Sequence, residues 1–200
     1  MIRNTRRAVR SSFDLSKSKE YVTQAQLIVR EEFNNIKNIL LDKFDNHAVT
    51  REIKGGINAS NISNTLGGKG NLFSFIGFES NDSPTEPIRD LLESKTRLTN
   101  ISVRRDGSLN TFVLYPKKAE IFLVTPMPWA RGRSWAEGIE KGISGLGYYL
   151  NKTTTYSRSG KGLQSKNSVR TLTFSTTPYI GELIRWFEGE IIKLNRKTIL

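Results

Sequence analysis

The stretch Pro126–Leu150, PMPWARGRSWAEGIEKGISGLGYYL, constrains this chain more than any other. Two prolines and Gly132 end whatever precedes it, and from Arg133 the apolar pattern turns helical. Trp135, Ile139, Ile143, Leu146 and Leu150 recur at helical spacing and trace one stripe. Gly138, Gly142 and Gly145 fall on a neighbouring face. Each glycine costs about 1 kcal/mol against alanine in a helix interior, so three of them require a reason. The reason predicted is a second backbone approaching too closely for side chains. That backbone belongs either to the same chain or to a neighbouring subunit. This helix is expected to be the packing hub.

The other elements follow from periodicity. Ala25, Val29, Phe33, Ile36, Leu40 and Phe44 line one face of a long helix over residues 21–44. Pro84–Lys95 reads as a short helix capped by Ser83, with Ile88, Leu91 and Leu92 inward. Alternation on either side of Asp106-Gly107 predicts a hairpin. Pro116-Lys117-Lys118 then turns into Glu120–Thr125 as a third strand, which makes a meander. Thr176-Thr-Pro-Tyr-Ile opens a last helix with Ile180, Leu183, Ile184, Phe187, Ile191 and Leu194 as its buried stripe. The fold class is therefore α+β, a small antiparallel sheet packed with a long N-terminal helix, a central glycine-striped helix and a C-terminal helix. Residues 1–20 form a basic flexible arm, and residues 21–200 one domain.

Residues 45–82 lack helical periodicity and are rich in Gly, Asn and Ser, which predicts a long extended loop. Near its end stand Leu72, Phe73, Phe75, Ile76 and Phe78. A disordered linker has no use for such residues. An arm that plugs them into its own core, or into an adjacent protomer, does. The adjacent protomer is favoured, which makes these five residues candidate interface positions.

The chain of 200 residues carries a net charge of +12, one histidine and no cysteine. Disulfides and thiolate metal sites are excluded. No run of about 18 apolar residues exists, so a membrane span is excluded as well. A basic surface favours nucleic acid, an anionic membrane or an acidic protein as neighbour, set against a merely solvated surface. Arg3, Arg6, Arg7 and Arg10 lie in the N-terminal arm. Arg158, Lys161 and Lys166, beside Tyr156, form a basic loop in the polar stretch 151–174. These seven are the candidate DNA-facing or partner-binding residues. Phosphate contacts need only such donors, without sequence readout.

Signs of catalysis are weak. His47 has no triad partner beside it in the sequence, and no G-x-S-x-G motif occurs. Gly67-Gly-Lys-Gly70 and Gly160-Lys-Gly162 fail the phosphate-loop pattern and read as turns. Asp90 with Glu93-Ser-Lys95 resembles a fragment of a Mg²⁺-dependent nuclease signature, but these residues share one predicted helix, where a solvated face is the ordinary explanation. Glu137 and Glu140 read as surface charges. No enzyme activity, cofactor or metal is expected.

The layout resembles the neck, head–tail joining and tail-completion proteins of tailed bacteriophages. The resemblance rests on the long first helix, Phe44-Asp-Asn-His-Ala-Val-Thr-Arg-Glu-Ile53, and Asn71-Leu-Phe-Ser-Phe-Ile-Gly-Phe78. It also draws on Gly132-Arg-Ser-Trp135, Ser157-Arg-Ser-Gly160 and Thr177-Pro-Tyr-Ile180. It implies a structural virion protein, assembled in the host cytoplasm, that forms a ring through which DNA passes. The implied partners are copies of itself, portal, neck or tail proteins, and genomic DNA by non-specific contact, with no membrane. The alternative is a free, non-specific nucleic-acid-binding protein.

Overall fold

In the computed structural model, the described residues are 14–66, 70–128, 130–141, 149–150, 163–164 and 177–196. The helices among them are α1 (Lys19–Asn46), α2 (Ala48–Lys54), α3 (Leu72–Ile76), α4 (Glu86–Lys95), α5 (Lys118–Leu123), α6 (Trp135–Glu140) and α7 (Ile180–Arg196). The strands form two-stranded antiparallel ladders: β1 (Arg97–Val103) with β2 (Leu109–Leu114), β3 (Pro126–Met127) with β4 (Ala130–Ser134), and β5 (Tyr149–Leu150) with β6 (Leu163–Gln164). The fold is α+β, as expected.

The chain divides into two compact units, each assembled from separated pieces of chain. The first gathers the described residues of Met1–Leu40, Ser94–Tyr115 and Arg185–Leu200, and the second those of Leu41–Glu93 and Pro116–Ile184. Such interleaving leaves no linker composition to read.

In the first unit, Ala25, Val29, Phe33 and Leu40 of α1 are buried, as their spacing requires. The β1–β2 hairpin presents Ile101, Leu109 and Thr111 inward, and Phe112 and Leu114 outward. Thr99 is the extra residue where the register slips between Leu98 and Asn100, and its hydroxyl donates to the Phe112 carbonyl at 2.8 Å. Asn195 of α7 accepts from both the amide and the hydroxyl of Thr111, at 2.7 and 2.8 Å. Tyr115 packs edge-on against Phe187 and donates to Glu188 at 2.7 Å.

The expected flexible arm ends earlier than residue 20. Asp14 caps a short 3₁₀ turn at Leu15–Lys17, whose Leu15 amide donates to the Arg105 carbonyl at 3.2 Å. Tyr21 donates to the Gly107 carbonyl at 3.0 Å. These contacts hold residues 14–21 against the hairpin loop. Residues 1–13 lie outside the described residues.

The second unit corrects three expectations. Glu120–Thr125 is not a third strand: Lys118–Leu123 is helical, and Glu120 accepts from the Lys117 amide at 2.7 Å, as half of a capping box does. That cap outweighs the β-branched run, whose strand preference depends on its neighbours.

The glycine-striped hub is also shorter than predicted. Its described helix covers Trp135–Glu140, and Leu150 pairs in a ladder with Leu163 instead of closing a helical stripe. Arg133 and Ser134 belong to β4, and Ser134 caps α6 by accepting from the Glu137 amide at 3.0 Å. Glycines within the stretch lower its helix preference, which the apolar spacing alone does not register.

Third, residues 45–82 are not one extended loop, because they contain α2, a 3₁₀ turn at Gly56–Asn58, and α3. Helices of seven and five residues complete too few turns to show a period.

Candidate interaction surfaces

The five residues expected at a subunit interface are inside this chain. Leu72 and Ile76 are fully buried, and Phe73, Phe75 and Phe78 nearly so. Asn71 caps α3 by accepting from the Ser74 amide at 2.8 Å, and Gly77 ends it with φ of +87°. Those two residues carried the missing sequence signal: an asparagine and a glycine bracketing five residues, four of them apolar. Phe78 meets Phe73 at 5.4 Å and stands edge-on to Trp135 at 5.8 Å. Trp135 in turn packs near Tyr179, which stacks on Phe44. The preference for an adjacent protomer is therefore corrected. The aromatic residues find enough apolar partners within their own unit, and burying each contributes roughly 1.5–3 kcal/mol.

A buried carboxylate organises the segment leading to α3. Glu52 is fully buried, and its oxygens accept from Asn61 Nδ2 at 2.8 Å, the Ser63 amide at 2.9 Å and the Leu72 amide at 2.7 Å. Its charge is balanced by oriented amide dipoles, with no ion pair to it among the described residues. Nothing in the sequence marks Glu52 as interior, because a glutamate in a polar segment looks like any surface charge.

The remaining candidates have structural partners. His47 Nδ1 accepts from the Val49 amide at 3.2 Å and so caps α2, while its ring sits 4.9 Å from Tyr179. Burial lowers its pKa, opposed by the nearby Glu182 charge and the Pro178 backbone. Tyr179 is fully buried with its hydroxyl 2.9 Å from that of Thr50, and burial raises its pKa far above the ordinary phenol value. Asp90 and Glu93 are exposed on α4, and Glu93 pairs with Arg89 at 2.7 Å. Arg89 and Lys54 together hold Asp45 at 3.0 and 2.7 Å. Glu137 is a surface charge as expected, paired with Lys141. Glu140 is not: it binds Lys118 at 2.6 Å and accepts from the Gly181 amide at the start of α7, which suits a carboxylate.

Gly138 lies in α6, half-buried. Gly142, Gly145, Arg3, Arg6, Arg7, Arg10, Arg158, Lys161 and Lys166 lie outside the described residues.

Charge is distributed unevenly along the chain. Residues 1–13 contain Arg3, Arg6, Arg7 and Arg10, residues 151–176 contain Lys152, Arg158, Lys161, Lys166 and Arg170, and neither stretch has an acidic residue. Those nine charges make up most of the net +12, so the rest of the chain is close to neutral. Large apolar side chains also face solvent in the first unit, among them Leu27, Ile28, Phe112, Leu114 and Ile192. No helix among the described residues is long and apolar enough to cross a membrane. No protein-family model, curated protein or solved structure matches this chain.

Proposed function

We propose that this chain is a structural virion protein of a tailed bacteriophage, forming a ring in the neck, head–tail connector or tail-completion region through which DNA passes. The observation that carries the reading is the pairing of a near-neutral body with two acid-free basic stretches, 1–13 and 151–176. Such stretches suit contact with a polyanion, since each bound phosphate releases counterions. The solvent-facing Leu27, Ile28, Phe112, Leu114 and Ile192 suit contact with other protein subunits. Repeated heterologous contacts close into a ring when the rotation allows. The proposal does not rest on residues 72–78, which the chain covers by itself.

Mass measurement and electron microscopy of the full chain, alone and with portal or tail proteins, test the proposal. Ring oligomers, or incorporation into connector assemblies, are the expected result. A strict monomer that joins no such assembly sinks it. The same basic stretches favour one second reading, a free nucleic-acid-binding protein. That reading predicts duplex affinity falling with salt at a log–log slope of about 0.9 per contacted phosphate, without assembly.

A further inference from the structure

A cleft of about 230 Å³ opens in the first unit, between α1 and the start of β1. Arg30, Asn34 and Lys37 line it from α1, at a spacing that puts them on one helix face. Thr96 and Arg97 line it from the other side, and buried Phe33 supplies an apolar wall. Three cations thus share one small space, and no carboxylate is among the lining residues. None of the three side chains makes an ion pair or hydrogen bond with another described residue. Folding has gathered like charges without neutralising them.

Thr96 provides a second, independent observation. It is fully buried, and its hydroxyl has no hydrogen-bond partner among the described residues. Buried polar atoms in native folds are almost always satisfied, so an orphan beside a cationic cleft asks for an occupant.

We propose that this cleft is a phosphate-binding site. Arg30 and Arg97 supply planar forks of N–H donors, Lys37 a mobile point charge, and Asn34 and Thr96 neutral donors. A carboxylate offers one charge and two oxygens, too few for this donor set, whereas a phosphate offers more of both. The volume falls below the ~300–1,000 Å³ of ordinary small-molecule pockets, so it suits a phosphate with little attached. Free phosphate and the backbone of a nucleic acid share that chemistry. The lining residues belong to neither of the two basic stretches, and the proposal does not depend on the assembly reading.

The test is an NMR titration of the full-length isotope-labelled protein at low chloride, with inorganic phosphate in one arm and a thymidine tetranucleotide in the other. Saturable shifts are expected at residues 30–37 and 96–98. Arg30→Gln combined with Arg97→Gln should weaken binding at least about tenfold, as loss of two charge-assisted donors implies. Thr96→Val should weaken phosphate binding several-fold while leaving the melting temperature of the unliganded protein unchanged or higher. A purely structural hydroxyl would not move affinity. Tighter binding of the tetranucleotide, competed by phosphate, identifies a nucleic-acid backbone as the source. Binding of inorganic phosphate alone identifies the free ion. Absence of saturable shifts with both probes overturns the proposal, as does wild-type affinity in a folded double variant.

Discussion

The carboxylate of Glu52 accepts the backbone N–H of Leu72 at 2.7 Å, across twenty residues of chain, in the buried interior of the second unit. This bond anchors the start of α3 to α2, and the Asn61 and Ser63 bonds to the same carboxylate fasten the chain between them. Three donors converge on it, so an acceptor-only group is required. Glu52→Gln puts an amide donor against one of them and should cost about 2–4 kcal/mol. Urea denaturation of the two proteins measures the difference, and equal midpoints would show that the carboxylate is dispensable.

Gly107 holds the hairpin loop with φ of +82°, and a Cβ there would stand 2.8 Å from both Leu15 Cδ1 and the Tyr21 hydroxyl. Gly107→Ala therefore combines backbone strain with a clash and should destabilise by about 1–3 kcal/mol. Faster amide exchange in residues 15–21 should accompany the loss. Unchanged exchange there would mean that the turn is not held by this loop.

His47 makes stability depend on pH in a defined direction. Burial lowers its pKa in the folded chain below the ordinary 6.5. Above that value both folded and unfolded chains hold it neutral, and its contribution is fully present. As pH falls below 6.5, the unfolded chain takes up the proton first, and stability drops until the folded histidine titrates. Protonation of Nδ1 also removes the acceptor that caps α2. His47→Asn keeps a capping oxygen without the titration. Its stability should change less than the wild type's between about pH 7.5 and 5.5. Parallel pH profiles for the two proteins would refute this.

Tyr115 should ionise late. Its bond to Glu188, with burial and the neighbouring charge adding to it, pushes its pKa up to about 12. In an ultraviolet titration, Tyr115→Phe should remove one tyrosine signal that rises well above the ordinary phenol pKa. The same substitution should cost about 1–2 kcal/mol, as loss of one hydrogen bond to a charged group does. A variant as stable as the wild type would mean that water replaces the bond at no loss.

The two longest helices, α1 and α7, were legible without coordinates, for a physical reason: an amphipathic helix writes its buried face into the chain every three or four residues. The stripes of α1 and α7, and the hairpin around Asp106-Gly107, needed nothing more. Short elements were not legible, since α2, α3 and α5 are fixed by a histidine, an asparagine and a glutamate acting as caps on two turns or fewer. Tertiary packing decided where the phenylalanines of residues 73–78 go, because apolar spacing records that a side chain is buried but not whose atoms bury it. Packing also decided that Glu52 is interior, that Lys118, Glu140 and the Gly181 amide meet, and that Arg30, Lys37, Thr96 and Arg97 surround one cleft. Each of those groupings joins residues far apart in the chain, and no local pattern encodes such a meeting.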